Sequence, residues 1–121
     1  MIPANINLTI YQGTTFKKDF QWLIGTPSTP VDITNFKIRM QIRATIKDTN
    51  FIVELTTENG RIIISDAING KFYLFLDDSI TSGLTIKSGV YDIEIIDLSL
   101  HVERLIQGSI IVSPEVTRPL I

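Results

Sequence analysis

The sequence holds a single histidine, His101, and no cysteine. Disulfides, thiolate chemistry and a metal site built on several histidines are therefore excluded. Any imidazole acid–base catalysis would have to use His101 itself. It closes "DLSLH" (97–101), a short connection between two strand-like runs, where a solvated turn histidine belongs. Ser99 is close by, but no motif presents it to His101 as an activated nucleophile.

The carboxylates offer the other chemistry. Asp92 and Glu94 alternate with Tyr91, Ile93 and Ile95, so the two acids share one face of a strand. Such a pair can act as acid and base or hold calcium. A simpler use is the wet side of a half-buried strand, facing Arg104 or Lys71 across a sheet. Asp97 falls on the opposite alternation. Asp77-Asp78 lacks the spacing of a calcium-binding loop and reads as a helix cap. The seven glycines are scattered, with neither G-x-G-x-x-G nor G-x-x-x-x-G-K-[ST] among them. Lys37, Arg39 and Arg43 make a basic stripe without interleaved aromatics, so no stacking platform for single strands is formed. A solvated face or an acidic protein partner suits that stripe better. The net charge of −2 leaves no basic excess to neutralise phosphates. These residues predict no enzyme, no cofactor, no metal and no nucleic-acid partner.

The elements that carry these residues have period two almost throughout. "KIRMQIR" (37–43) sets Ile38, Met40 and Ile42 against Lys37, Arg39, Gln41 and Arg43, the pattern of a half-buried antiparallel strand. "TFKKDFQWLI" places Phe16, Phe20, Trp22 and Ile24 on one face, with Trp22 a core anchor. "FIVELTT", "RIIISD", "GKFYLFLD", "GVYDIEIID" and "HVERLIQGSIIVS" complete the set. Asn59-Gly60 and Asn69-Gly70 are tight-turn dipeptides, and they predict a three-strand meander over 51–76. "TPSTPVD" (26–32) reads as a loop, and "VDITNF" as an Asp-led turn opening the next strand. "DDSITSGL" (77–84) is the one helical turn, capped by Asp78 or Ser79 and ended by Gly83. With 44% hydrophobic residues and 121 in all, the chain can bury one core. The expectation is an all-β, antiparallel, immunoglobulin-like sandwich of seven or eight strands. A small barrel is the alternative.

The opening "MIPANINLTIYQG" has neither the charged nor the apolar region of a signal peptide, and no apolar run reaches the ~20 residues of a membrane helix. The expectation is assembly in a cytoplasm, without membrane insertion.

Two features exceed what one sandwich requires. In "KFYLFLD", Phe72, Leu74 and Leu76 oppose Tyr73 and Phe75; in "RIIIS", Ile62 and Ile64 oppose Ile63. Only one set can face the core, so Tyr73 and Phe75 are expected beneath a partner or a covering loop. The end of the chain is the second. Pro114 cannot donate to a sheet ladder, so the last strand stops near Ser113. This divides the chain into a domain, 1–113, and an extended arm, 114–121. Glu115 and Arg118 give the arm charged handles, and Val116, Leu120 and Ile121 apolar ones. It is expected to strap onto a neighbouring subunit or another protein of the same assembly.

The succession "YQGTTFKKDFQW", "PVDITNFKIRMQIR", "NGRIIIS", "SGVYDIEIID" and "RLIQGSIIVSPEVTR" spans nearly the whole chain. It resembles small β-sandwich structural proteins of tailed bacteriophages. That family shows Y-x-G-x-x-F, P-V-D-L-T-x-Y/F, G-x-Y-x-Y/D-x-E-x-x-D and a terminal G-x-x-x-V-x-P-E-V-T-R. The last motif is the most specific; Ile33 and Phe36 replace the family's Leu and Tyr. The resemblance implies a virion protein of the tail tip or baseplate, a collar or adaptor that forms an oligomeric ring and attaches side tail fibres. Because function in that family is assembly, no catalytic residue transfers. A carbohydrate-binding sandwich that reads host surface glycans is the rival expectation. The placement of Trp22 in a core pattern, rather than in an exposed loop, argues against it.

Overall fold

The computed structural model describes residues 2–119. The strands are β1 (Ala4–Asn5), β2 (Leu8–Tyr11), β3 (Phe16–Gln21), β4 (Leu23–Ile24), β5 (Thr29–Pro30), β6 (Lys37–Arg43), β7 (Val53–Thr56), β8 (Ile62–Asp66), β9 (Lys71–Leu76), β10 (Ser88–Ile96) and β11 (Val102–Ser113). One helix, α1 (Asp78–Ser82), lies between β9 and β10. Eight of the strands have four or more residues, the number expected from the alternation. Two sheets enclose one core. The larger has six strands in the order β1-β11-β10-β6-β7, with β2 also paired to β11; the smaller is β3-β9-β8. The protein is an all-β sandwich.

Alternation decides which side chains meet between the layers. From the larger sheet come Ile38, Met40 and Ile42, Tyr91, Ile93 and Ile95, and Leu8, Ile10, Ile110 and Val112. From the smaller come Ile62, Phe72, Leu74 and Leu76. Phe20 packs on Phe72 with ring centroids 5.6 Å apart and planes tilted by 32°, an offset geometry that adds to plain area burial.

Several expectations are corrected. β7 and β8 do not belong to one meander. β7 pairs with β6 and β8 with β9, so the Asn59-Gly60 turn carries the chain from one sheet to the other. Only Asn69-Gly70 closes a hairpin. The left-handed backbone that Gly supplies is needed at both places, with φ +77 at Gly60 and +67 at Gly70, so the dipeptide alone cannot distinguish a hairpin from a crossing. The sandwich is not purely antiparallel, because β1 and β2 run parallel to β11. The run from Phe16 ends before Ile24. β3 stops at Gln21, and Leu23–Ile24 pair instead with Thr29–Pro30 within the expected loop, leaving Ile24 exposed. Trp22 is half-buried against the core edge. The helix cap is Asp77, whose carboxylate accepts from the Ile80 N–H at 3.0 Å and the Ser79 hydroxyl at 2.6 Å. Gly83 ends the helix in a right-handed conformation, φ −82.

The Asp-led turn forms as read. The Asp32 carboxylate accepts from the Thr34 backbone and hydroxyl, Asn35 takes φ +63, and Ile33 drops into the core.

Candidate protein interface

The outer face of the smaller sheet is built by the second residue of each pair. Lys17 lies opposite Phe75, Asp19 opposite Tyr73, and Ile63 opposite Tyr73 on the other side. Tyr73 and Phe75 do point away from the core, as expected, alternating with the buried Phe72, Leu74 and Leu76. They are half-buried by neighbours on the same face. The Lys17 ammonium stands 4.6 Å from the Tyr73 ring centroid, a cation–π contact that shields the ring while leaving the face accessible.

The outer face of the larger sheet is polar and largely satisfied from within. Arg39 Nε donates to Glu94 Oε1 at 2.8 Å. Arg104 lies 3.4 Å from Asp92. Gln41 donates to Glu54 at 2.7 Å, and Arg43 donates to Gln41 and to the carbonyls of Asp48 and Thr49. Arg104 is thus the partner expected of Asp92, whereas Lys71 lies in the other sheet. Of the stripe Lys37, Arg39 and Arg43, Arg39 meets an acid and Arg43 meets an amide and two carbonyls of the same chain, while Lys37 is exposed. Partial burial, then the neighbouring Glu94, pushes the Asp92 carboxyl above its ordinary range; Arg104, Arg39 and Arg43 oppose that shift. Each of the two acids is thus matched with an arginine of its own sheet. Trp22 lies half-buried in a cleft that Ile6, Phe20 and Leu105 also line.

His101 is exposed in the β10–β11 turn, 3.4 Å from the Asp97 carboxylate. Asp97 Oδ1 accepts from the N–H groups of Ser99 and His101. These bonds, the one to His101 first, favour the ionised carboxylate and hold its pKa below the usual aspartate value. The turn they fix displays Leu98 and Leu100, 69% and 79% exposed, and holds Leu100 at φ +66. Sequence reading passed over both leucines because it took the segment only as a connection.

The arm behaves differently from expectation at its base. β11 ends at Ser113 as predicted. Glu115, however, does not project as a free handle. Its N–H donates to Gln12 Oε1 at 3.0 Å, and its carboxylate occupies the place that a Cβ on Gly13 would take. Val116 and Arg118 are exposed, Val116 at 91%. Leu120 and Ile121 lie outside the described residues.

Three further residues have roles that the sequence reading did not give them. Tyr91 is buried, and its hydroxyl donates to the Ile6 carbonyl at 2.6 Å; burial pushes its phenol up to about 12. Leu105 and Ile106 are consecutive yet both buried, because β11 bulges where its partner passes from Ile93 to Glu94.

Among the described residues, no group of three or more His, Asp or Glu side chains converges to hold a metal, and no helix is long and apolar enough to cross a membrane. No family model matches the chain, and no curated protein matches it either.

Proposed function

We propose that the chain is a structural protein of a tailed bacteriophage virion. In this reading it is a tail-tip or baseplate collar or adaptor that assembles into an oligomeric ring and attaches tail fibres. The observation that carries the proposal is the ordered succession of five motifs along the sequence, ending in "SPEVTR". Two surface features support it. The outer face of the smaller sheet carries the partly exposed Tyr73, Phe75 and Ile63, and the segment after Ser113 presents Val116 and Arg118 to solvent. An assembly protein needs stiff layers with apolar surface left for neighbours, and burying what remains exposed of Tyr73 and Phe75 would contribute about 1–3 kcal/mol per subunit.

The test has two parts. The genes flanking this one should encode other tail components, since tail genes cluster. Light scattering of the purified protein at micromolar concentration should show an oligomer, and Tyr73→Ser with Phe75→Ser should shrink it. A gene set among metabolic enzymes, together with a strictly monomeric protein, would overturn the reading.

A further inference from the structure

The two edges of the smaller sheet are built differently. Each edge strand exposes a row of backbone donors and acceptors, a template on which another chain can pair. β3 guards its edge with Lys17, Lys18 and Asp19, all exposed. The opposite edge, β8, is Ile62-Ile63-Ile64 and carries no charge between Arg61 and Asp66.

The phase of hydrogen bonding shows which groups face outward. The Phe75 N–H donates to the Arg61 carbonyl at 2.8 Å, so Arg61 and, two residues on, Ile63 turn their backbone toward β9. Ile62 and Ile64 therefore direct N–H and C=O away from the sheet. Among the described residues, no backbone or side-chain group bonds to either. The side chains alternate the other way: Ile62 is buried in the core, and Ile63 lies on the outer face beside Tyr73.

We propose that β8 pairs antiparallel with β8 of a second copy, joining two three-stranded sheets into one of six. The second copy is favoured over an unrelated strand by the charges that flank the isoleucines. Antiparallel pairing centred on Ile63 brings Arg61 of each copy diagonally within reach of Asp66 of the other, at both ends of the contact, where this pair would replace the bonds that Arg61 donates to the Glu54 carbonyl and Asp66 accepts from Asn69 within one chain. Parallel pairing would set like charges together. The joint also makes the Tyr73 and Phe75 faces of the two copies continuous, so each pair offers one wide apolar surface. An isologous joint of this kind closes on itself and yields a defined dimer rather than an open fibre. It rests on the assembly reading above in holding that the chain self-associates, and it names the strand that does so.

Two substitutions and one labelling experiment test it. Ile63→Lys places a guard charge on the outer face without touching the core. Ile64→Pro removes an outward N–H that the β8–β9 ladder does not use. Each should raise the dimer dissociation constant at least tenfold in sedimentation equilibrium, while circular dichroism keeps its strand signal. In hydrogen exchange of the unaltered protein, the Ile62 and Ile64 amides should gain protection as concentration rises. If association persists in both variants but is lost in Tyr73→Ser with Phe75→Ser, assembly stands and the strand joint is overturned. A protein that stays monomeric, or Ile62 and Ile64 amides that exchange freely in the oligomer, overturns it as well.

Discussion

Gly108→Ala is the sharpest single perturbation the structure offers. Gly108 sits in β11 without a positive φ, so alanine is acceptable to its own backbone. The added methyl, however, falls on the Ile6 carbonyl, with Asn7 Oδ1 also close by. Both belong to backbone or short side chain, so the link between β1 and β2 must move away. That link is held by three bonds: Ile6 N–H to the Gln107 carbonyl at 3.0 Å, Tyr91 hydroxyl to the Ile6 carbonyl at 2.6 Å, and Ser109 N–H to Asn7 Oδ1 at 3.1 Å. At about 1 kcal/mol net for each bond, the loss is about 3 kcal/mol. For a domain of this size that lowers Tm by about 10–15 °C. Gly60→Ala is the control. Nothing lies within 4 Å of its Cβ position, and only its φ of +77 resists, at about 1 kcal/mol. Urea unfolding of both variants should therefore separate them by about 2 kcal/mol, and hydrogen exchange should show the Ile6 and Ser109 amides opening in Gly108→Ala alone. Equal stability of the two would mean that the N-terminal strands are not seated against β11 as described.

Met40→Asp should abolish folding, since it sets a carboxylate between Ile38 and Ile42 at a site 1% exposed and costs more than ~4 kcal/mol; Arg39→Asp should stay folded by circular dichroism, losing a surface pair worth ~0–1 kcal/mol. Leu100→Gly should raise stability by about 0.5–1 kcal/mol in thermal unfolding, because glycine relieves the φ of +66 at a mostly exposed side chain. On acidification, Asp77, Asp32 and Asp97 act together. Hydrogen bonds hold all three below the ordinary aspartate value of 3.8, so their contribution is present above about that pH and is lost as pH falls through the lowered values. Asp92 is shifted the other way, so its protonation opposes that loss. A pH series of Tm should decline below about pH 4, and Asp77→Asn should flatten the decline.

The strands were legible wherever one face meets water. Lys37–Arg43 shows buried and solvated residues in strict turn, and the pattern fixes both element and facing without help from the rest of the chain. Pro114 likewise set the end of β11, because a missing N–H is a local fact. The Asp-led turn at 32–35 was readable for the same reason. What the pattern could not carry was partnership. Asn59-Gly60 demands a left-handed residue whether the next strand returns to β7 or crosses to the other sheet. The direction of β1 and β2 depends on which edge is free, which no local periodicity records. The bulge at Leu105 breaks alternation in a run that otherwise reads as regular, and the Tyr91 hydroxyl is buried only because Ile6 brings a carbonyl to it. Glu115 looked like an arm residue because its attachment, Gln12, is a hundred positions away. Of the candidate interface residues, the outward facing of Tyr73 and Phe75 followed from period two, while the Leu98–Leu100 tip lay hidden in a turn that no periodicity describes.

The parallel seat of β1 and β2 on β11 has a mechanical meaning. Ala4 lies beside Ile106, and Tyr11 beside Ser113, so the chain enters at one end of the sandwich and β11 leaves at the other, about 23 Å away at ~3.3 Å per residue. Tension between a point before Ala4 and a point after Ser113 would pull β2 and β11 along their lengths in opposite directions. Their hydrogen bonds would then be loaded in shear, several at once, instead of being unzipped one by one. A subunit joined to neighbours at these two points would stretch stiffly and yield at high force.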